Sequence, residues 1–493
     1  MNDFETRLAN DIVRGLPGKT GGIVDAAWLA PAELLKPDWA YRNASNAVAG
    51  LILGYRNDRG VGSIDNRHVL TVAGSRGGKG VSLIVPNLLM YDGSVIAIDP
   101  KGELAAITAR ARRQKGQKVI ILDPFQVSDA EGLGSFNPLD QLDPKRGNVK
   151  DDAALIADAL IIGSEREPHF TDTARILIEA IILYTLTLEK ADRTLVTVYR
   201  LLAGSHPLVM DIAHRTEGKV KGRAALFKLM ENCTGVFDDA VAGHGANFGQ
   251  MADRELAGVF STALTQLKFL ESDAMASVLQ SSNFELSELK SGKATLYLCL
   301  PAMRMSTHSR WLRVIINLAL VAFERTKVKL DIPVLMVLDE FPLLGHMQSV
   351  EKAAGLMAGF GVKLWAVLQD LSQIKGLYKN SWETFIGNAG VSMFWSNSDK
   401  TTLDYISDKL GQTGVRLEQS NDTTMQQRLS GASGRREELR VQKLAAPHEL
   451  EKMLDRRKRR VLILAAGESP VILQRIQYYD DKPFAGLFDV WNG

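Results

Sequence analysis

A glycine-rich segment with one lysine is the part of this sequence with the clearest chemical meaning. Residues 73–80 read A-G-S-R-G-G-K-G, and their Gly-Lys core fits the phosphate-binding pattern G-x-x-x-x-G-K-[ST]. In such a loop, backbone N–H groups surround phosphate oxygens and the lysine contacts the outer phosphates. The residues expected to contact ATP are Gly74, Ser75, Arg76, Gly77, Gly78, Lys79, Gly80 and Val81. We therefore expect a nucleoside-triphosphate site, with Lys79 as a catalytic residue.

The loop departs from the usual pattern at both of its ends. Ala73 stands where the first glycine is usual, and Gly80 stands where a Ser or Thr hydroxyl usually holds Mg²⁺. Ser82 is near enough in sequence to supply a metal ligand, and a water held by downstream carboxylates would serve equally. The alternative for the whole segment is a glycine-rich turn between a strand and a helix, because short motifs also occur by chance.

Two adjacent carboxylates follow a second informative segment. Residues 333–338 form an apolar run, which predicts a buried parallel strand, and Asp339 and Glu340 come directly after it. Open α/β sheets bind ligands at the carboxyl ends of their strands. We expect Asp339 to associate with Mg²⁺, directly or through water, and Glu340 to act as the general base for the attacking water. The alternative is that the pair caps a helix, because acids suit helix N-termini.

Strands and helices alternate around these two segments. Apolar runs predict strands at 50–55, 68–73, 94–99, 119–123, 294–300, 333–338, 362–368 and 461–467. Helical patterns predict a helix over 81–90 that bends at Pro86, and a long helical run over 151–270 in which a Thr171-Asp172 cap precedes helix 173–188. The polar segment 412–443 predicts a loop that is mobile in part. Alternation of this kind predicts an α/β fold with a mainly parallel sheet and an inserted all-α domain.

The composition indicates a globular, intracellular enzyme. The chain has 493 residues, of which 45% are hydrophobic and 24% charged, so it can bury large cores in more than one domain. Its two cysteines exclude a disulfide framework and a cysteine-rich zinc site. The formal charge of +2 favours no class of partner. No run reaches the ~18 apolar residues of a membrane-spanning helix, and acidic and basic residues interrupt the first 20 positions where a signal peptide would need an apolar core.

The order of motifs resembles the type IV coupling proteins, which are the TraG-like ATPases of conjugation and type IV secretion. The matching segments are G-G-K-G-V-S at 77–82, V-P-N-L-L at 85–89, D-P-K-G-E at 99–103, F-N-P-L at 136–139, L-D-E-F at 338–341 and L-Q at 368–369. The resemblance implies a RecA-like P-loop NTPase and a hexameric motor with an all-α insertion. Such a motor couples ATP hydrolysis to the transfer of DNA or protein substrates.

The resemblance also implies roles for individual residues. Lys79 would contact the β and γ phosphates, Asp339 and Glu340 would serve the metal and the water, and Gln369 would sense the γ-phosphate. Because Gln369 follows an apolar strand, its amide could contact both a phosphate oxygen and the water, although a polar cap at a strand end is the alternative. Residues 99–103 could likewise contact nucleotide or form a simple turn.

The predicted domains and partners follow from the same resemblance. The chain divides into an N-terminal arm and strand (1–65), a first nucleotide-binding part (66–177), an all-α insertion (178–270) and a second nucleotide-binding part with the C-terminal tail (271–493). The expected partners are single- or double-stranded DNA or a relaxase–DNA complex, and components of a type IV secretion channel. Family members usually begin with a transmembrane hairpin, which this sequence lacks. We expect a cytoplasmic chain, or one held peripherally at the inner membrane by a separate anchor subunit.

Two alternative functions remain open at the level of sequence. One is a soluble DNA pump of the FtsK/HerA type that has no link to secretion. The other is a substrate receptor, in which nucleotide only stabilises assembly and the helical domain recognises partners. DNA-stimulated turnover would favour a motor, whereas ATP binding without hydrolysis would favour the receptor.

The sequence contains basic residues whose roles are ambiguous. Ring ATPases often supply an arginine from a neighbouring subunit, and Arg304, Arg310 and Arg313 are candidates, although solvated helix-face charges are the favoured interpretation. The cluster at 456–460, R-R-K-R-R, could neutralise nucleic-acid phosphates, but a charge run before a buried strand more often forms a solvated edge. Trp365 and Trp395 lie in apolar runs, which predicts that both belong to the core.

Overall fold

The computed structural model describes residues 26–164, 166–420 and 435–491, and these residues form two compact units. Of the described residues, unit 1 contains 26–87, 367–420 and 435–481, and unit 2 contains 88–164, 166–366 and 482–491. The predicted N-terminal arm lies outside the described residues up to residue 25, and the described part before the first strand contains two short 3₁₀ helices, Pro31–Leu35 and Pro37–Trp39. The division of the chain into four domains stays a prediction.

The described residues form thirteen strands. They are β1 (Leu51–Arg56), β2 (Arg59–Ser63), β3 (His68–Ala73), β4 (Val95–Asp99), β5 (Lys118–Leu122), β6 (Ala294–Cys299), β7 (Val334–Leu338), β8 (Val362–Leu368), β9 (Ala389–Trp395), β10 (Gln412–Ser420), β11 (Arg435–Lys443), β12 (Arg460–Ala465) and β13 (Val471–Gln474).

The described residues also form α-helices. They are Val85–Met90, Glu103–Gln114, Val149–Leu160, Pro168–Leu186, Leu195–Ala203, Pro207–Arg215, Arg223–Glu231, Ala240–Gly249, Asp253–Leu267, Asp273–Leu279, Glu288–Ser291, Ala302–Arg325, Gln348–Leu356, Leu371–Tyr378, Glu383–Gly387, Lys400–Leu410 and Pro447–Met453.

In unit 2 the strands lie in the order β8-β7-β4-β6-β5. Every neighbouring pair in this series is parallel, and β7, β4 and β6 are buried along their whole length. Strands buried on both faces read as continuous apolar runs, which is why the sequence predicted them. The carboxyl ends of parallel neighbours meet at one edge, so Asp339 after β7 and Asp99 at the end of β4 belong to the same edge of the sheet.

In unit 1 the strands lie in the order β2-β1-β13-β12-β9-β3. Only the β3–β9 pair among them is parallel, and the other neighbouring pairs are antiparallel. The sequence analysis missed β2, β9 and β13. β2 pairs with β1 around a turn in which Asn57 and Asp58 both have positive φ, at 48° and 60°, so this polar turn closes a hairpin.

The helical region lies in unit 2, where successive α-helices run from Val149 to Ser291 with no strand among the described residues between those bounds. The predicted cap at Thr171 and Asp172 is wrong, because the helix begins at Pro168. Proline suits the first helical position because its fixed φ is helical. The N–H that it lacks would make no hydrogen bond within the helix at this position. The predicted domain boundary at residue 178 falls inside this helix.

The segment predicted as a loop at 412–443 is partly a ribbon. β10 and β11 pair in antiparallel register from Gln412 opposite Lys443 to Ser420 opposite Arg435. Residues 421–434 lie outside the described residues. The segment contains few apolar residues, and for that reason the sequence predicted no strands there.

The large aromatic side chains mark the cores of the two units. Trp365 and Trp395 are 0% and 1% exposed, which confirms that both are core residues. Among the described residues, none of the helices combines the length and the apolar character that crossing a bilayer demands.

Candidate nucleotide site

The glycine-rich loop lies in unit 1, directly after β3. The Gly74 N–H donates to the carbonyl of Trp395 at 3.2 Å, and the Gly77 N–H donates to the carbonyl of Gly74 at 2.9 Å. A Cβ on Gly74 would lie only 1.9 Å from the Ser396 carbonyl oxygen, so this position accepts no side chain. Arg76 and Gly78 have φ values of 56° and 76°, in the left-handed region. The loop therefore turns sharply between strand and helix, with its backbone close to the strand end beside it.

The segment after the loop is helical but begins irregularly. Residues Gly80–Ile84 form a π-helix, closed by a hydrogen bond from the Val85 N–H to the Gly80 carbonyl, and the α-helix Val85–Met90 follows. Pro86 has no N–H with which to bond the carbonyl four residues earlier, and this loss accounts for the irregular turn before it. The predicted helix at 81–90 is present, and its first turn is π-helical.

Ser82 follows the loop in sequence, and the structure keeps it close in space. Its N–H donates to the Gly78 carbonyl at 2.8 Å, and its Oγ lies 3.7 Å from the place that a Cβ on Gly78 would take. The residue is buried. Ser82 thus offers a hydroxyl beside the loop where Gly80 has none.

Two side chains from distant parts of unit 1 hold the Gly77 carbonyl. The Trp395 Nε1–H donates to this oxygen at 2.8 Å, and the Arg475 Nη1–H donates to the same oxygen. A trans peptide places its C=O and N–H on opposite sides, so fixing the Gly77 carbonyl also fixes the direction of the Gly78 N–H. That N–H points away from Trp395 and Arg475, and the loop backbone is thereby oriented before any ligand binds.

Arg475 joins the loop to a second segment of unit 1. Its Nη2 donates to the Arg456 carbonyl at 2.6 Å, and its backbone N–H donates to the Arg459 carbonyl at 2.8 Å. Burial, and then the charge of Arg459, lower its pKa from the ordinary arginine value. Sequence reasoning missed Arg475, because nothing in its neighbours marks it as a loop-binding residue.

Gln369 follows β8 and belongs to unit 1, as the loop does. Its N–H donates to Gln373 Oε1 at 3.1 Å, and its carbonyl accepts from Asn397 Nδ2 at 3.2 Å. The neighbouring Asp370 accepts from the Gln373 N–H and so caps the helix Leu371–Tyr378. These bonds fix the backbone at Gln369, while the role of its side-chain amide stays a prediction.

The acidic pair lies in unit 2, at the end of β7. Asp339 is 7% exposed, and its Oδ1 accepts from the Glu340 N–H at 3.0 Å. Glu340 has a φ of 54°, which costs a residue other than glycine about 1–2 kcal/mol. Strain of this kind is retained most often at functional sites. Glu340 precedes the short 3₁₀ helix Phe341–Leu344, and its side chain makes no capping hydrogen bond to that helix.

Asp99 ends the strand next to β7. It is fully buried, and its Oδ2 accepts from the Ala105 N–H at 2.9 Å in the first turn of the helix Glu103–Gln114. Burial raises the pKa of Asp99 to about 7; the bond from Ala105 lowers it, and the charges of Glu103 and Asp339 raise it further. Through the hydrogen bond from Ala105, the Asp99 carboxyl joins the end of β4 to the start of this helix.

The three arginines after β6 have three different environments. Arg313 is buried and donates to the carbonyls of Ala159, Leu344 and His346, so its interpretation as a solvated charge is wrong. Arg310 donates to Gln266 Oε1 from two nitrogens, at 3.0 and 2.8 Å. Arg304 is exposed and lies over the Phe125 ring at 4.3 Å. Of the three, Arg304 alone keeps an exposed side chain.

The fold and the loop together define the class of the protein. A glycine-rich loop between a strand and a helix, in an α/β protein with parallel strands, is the arrangement of P-loop NTPases, and the predicted fold class is confirmed.

The chain belongs to the family described as Type IV secretory system Conjugative DNA transfer, whose model matches residues 25–487. It is 28% identical over 422 residues to the conjugal transfer protein TraG of Rhizobium radiobacter, covering 83% of this chain and 62% of that protein. It is 27% identical over 487 residues to the protein VirD4 of Agrobacterium fabrum, covering 95% of this chain and 67% of that protein. The chain thus spans about three fifths of the length of the TraG relatives that it matches.

Solved structures share the fold at low sequence identity. The unbound monoclinic form of the bacterial conjugative coupling protein TrwBdeltaN70 has a TM-score of 0.62 and 14% identity, over 88% of this chain and 89% of that one. The plasmid coupling protein TrwB in complex with ADP and Mg²⁺ has a TM-score of 0.58 and 14% identity, over 84% of this chain and 86% of that one. The resemblance to type IV coupling proteins is therefore confirmed at the level of family and fold.

Proposed function

We propose that this chain is an ATPase that uses ATP hydrolysis to deliver DNA or a nucleoprotein to a type IV secretion or conjugation channel. The observation that carries the proposal is the phosphate loop, whose Gly77 carbonyl is held by Trp395 and Arg475, in a chain that matches the conjugative DNA transfer family from residue 25 to 487. Family membership favours this function over a soluble DNA pump with no link to secretion.

The residues of the loop suit the phosphates of ATP. Gly77, Gly78 and Gly80 have no Cβ, so the backbone can approach phosphate oxygens closely, and Lys79 supplies a cation. The same segment, Gly74 to Val81, would hold the nucleotide. TrwB, which shares the fold, has been solved with ADP and Mg²⁺ and with a non-hydrolysable ATP analogue, which supports nucleotide binding here.

Carboxylates and a hydroxyl suit Mg²⁺, a hard cation that prefers oxygen ligands. Asp339 would hold the metal directly or through water, and Ser82 is the second candidate ligand. When bound, the metal would neutralise charge on the phosphates. Glu340 would accept the proton of the attacking water, and the Gln369 amide would orient that water and contact the γ-phosphate.

The partners of this chain are proposed from the names of its relatives, which are conjugal transfer proteins. We propose that the chain acts on single- or double-stranded DNA or a relaxase–DNA complex, and that it contacts components of a type IV secretion channel. Hexamers would form in the active state, and a separate subunit could anchor the chain at the inner membrane.

Steady-state ATP hydrolysis, with and without single-stranded DNA, tests the function. We expect DNA to stimulate the wild type, Lys79→Ala to lose both ATP binding and turnover, and Glu340→Gln to keep ATP binding but lose turnover by at least 100-fold, since the base acts only in the chemical step. Native mass of the same samples reports ring assembly. ATP binding by the wild type without turnover, with DNA and in every assembly state, would contradict a motor and favour the receptor alternative.

A further inference from the structure

Unit 1 contains an open cleft that none of the phosphate-loop residues lines. We call it the basic cleft and define it by Tyr55, Arg56, Arg457, Lys458, Arg459 and Arg460, which line a volume of about 380 Å³. β13 lies between β1 and β12, and Gln474 on β13 is opposite both Tyr55 and Arg460. Strand pairing therefore brings two segments about 400 residues apart to the same cavity.

The basic cleft carries a large excess of positive charge. Segments 55–60 and 455–460 contain seven basic residues and only two acidic ones, Asp58 and Asp455. Asp455 pairs with Arg457 at 2.9 Å, and this partner lowers the pKa of Asp455 to about 2. Burial lowers the pKa of Arg56 from the ordinary arginine value. An anion in the cleft would offset the cost of holding these cations together.

The basic cleft is also lined by Tyr55, whose hydroxyl is buried. Tyr55 is 9% exposed, and its hydroxyl has no hydrogen-bond partner among the described residues. Burial, followed by the charge of Asp481, raises the pKa of Tyr55, so the phenol keeps its proton at neutral pH. A neutral buried O–H with no acceptor is suited to donate to an oxygen of a bound ligand, because buried polar groups are nearly always hydrogen-bonded.

The backbone beneath the basic cleft is fixed. The Arg475 side chain and N–H bond the carbonyls of Arg456 and Arg459, so the turn that carries the cations has a defined conformation. The same Arg475 side chain bonds Gly77 of the phosphate loop. The cleft is thus joined to the nucleotide site through one side chain.

The charge and shape of the cleft favour a chain of phosphates. We propose that the basic cleft binds the phosphodiester backbone of a nucleic-acid strand, which deepens and rests on the proposed function. A membrane surface fits less well, because none of the large apolar side chains exposed in the described structure belongs to segments 55–60 or 455–460, so nothing there would insert into a bilayer. Exposed arginine and lysine side chains in a row suit regularly spaced phosphates.

Salt-dependent binding of a fluorescein-labelled 20-nucleotide single strand, followed by anisotropy, tests the proposal on the full chain. The cleft variant is Lys458→Gln with Arg459→Asn, since asparagine tolerates the left-handed φ of 50° at position 459. Loss of two phosphate contacts should weaken binding about tenfold or more. It should also reduce the salt slope, which is the steepness with which the logarithm of the binding constant falls with the logarithm of the salt concentration, by about 1.4. The matched control, Lys400→Gln with Lys409→Gln, removes the same charge from exposed positions of unit 1 and should leave the slope unchanged.

Tyr55→Phe gives a second, uncharged test. It removes only the hydroxyl, so we expect about three- to tenfold weaker binding with an unchanged salt slope. Equal salt slopes and equal affinities for the cleft and control variants would overturn the inference about the cleft but leave the proposed function standing. Failure of the wild type to bind any strand would overturn the proposed function and the inference with it. Should the cleft variant keep the DNA slope and instead lose binding to phosphatidylserine vesicles, the cleft would be a lipid-headgroup site and the inference would be wrong.

Discussion

The carbonyl of Gly77 is the residue-scale feature on which the nucleotide site depends. A P-loop works through backbone N–H groups, and these must point inward before the phosphate arrives, because reorienting them on binding would cost affinity. Here an indole N–H and a guanidinium hold the opposite face of one loop peptide. The side chains that prepare this loop come from outside the motif that identifies it.

Replacing Trp395 with phenylalanine tests this arrangement. The variant keeps an aromatic ring in the core but loses one hydrogen bond to Gly77, which is worth about 0.5–1.5 kcal/mol. We expect the dissociation constant for a fluorescent ATP analogue to rise about three- to tenfold. Titration at equilibrium measures it.

Trp311→Phe is the matched control. Trp311 is 1% exposed, as Trp395 is, but its Nε1 has no hydrogen-bond partner among the described residues. Both variants should lose stability through the smaller ring, and only Trp395→Phe should lose nucleotide affinity. Equal dissociation constants for the two variants would show that the indole bond does not prepare the loop.

At the scale of elements, Asp99 joins the end of β4 to the start of the helix Glu103–Gln114. Its folded-state pKa of about 7 lies above the ordinary value of 3.8, so the folded protein binds this proton more tightly than the unfolded chain does. The stability that the proton supplies is complete below pH 3.8 and is lost as the pH rises through 7. Between pH 5 and pH 8 the loss is about 2 to 3 kcal/mol.

Asp99→Asn removes this titration while keeping an oxygen for the Ala105 N–H. We expect the stability of the variant relative to the wild type to increase between pH 5 and pH 8 by about that amount, measured by urea denaturation at both pH values. Asp455→Asn is the control, because the pKa of Asp455 is about 2 and this group stays ionised across the range. If the difference in stability between Asp99→Asn and the wild type is the same at both pH values, the pKa given for Asp99 is contradicted.

Elements of unit 2 could be predicted from sequence for a physical reason. Parallel strands buried on both faces need uninterrupted apolar residues, so β4, β6 and β7 were found, together with the acids at the ends of β4 and β7. β9 was missed because it contains a glycine and a serine among its apolar residues. The ribbon β10–β11 was missed because its polar residues resemble a loop.

The contacts that hold the phosphate loop could not have been predicted in the same way. Trp395 and Arg475 lie 318 and 398 residues from Gly77 in the sequence. Such pairs depend on the order of strands in the sheet, and no local pattern encodes that order. The motif therefore revealed the loop but none of the residues that support it.

At the scale of the whole molecule, a net charge of +2 conceals an uneven distribution of charge. Several cations lie together in the basic cleft, and acidic residues elsewhere in the chain offset their charge in the total. The net charge therefore says little about affinity for nucleic acid. The 456–460 cluster was interpreted as a solvated edge. Its residues 456–459 are exposed, as expected, and residues 457–460 also line a cleft with a buried tyrosine.

We propose that ATP hydrolysis by this chain moves a nucleic-acid strand. Displacement of streptavidin from the end of a biotinylated single strand measures such movement directly. We expect the wild type to accelerate displacement with ATP, but not with a non-hydrolysable analogue, and Glu340→Gln to be inactive with ATP. The proposal would be contradicted if DNA stimulated ATP hydrolysis by the assembled protein but streptavidin was displaced from neither end of the strand.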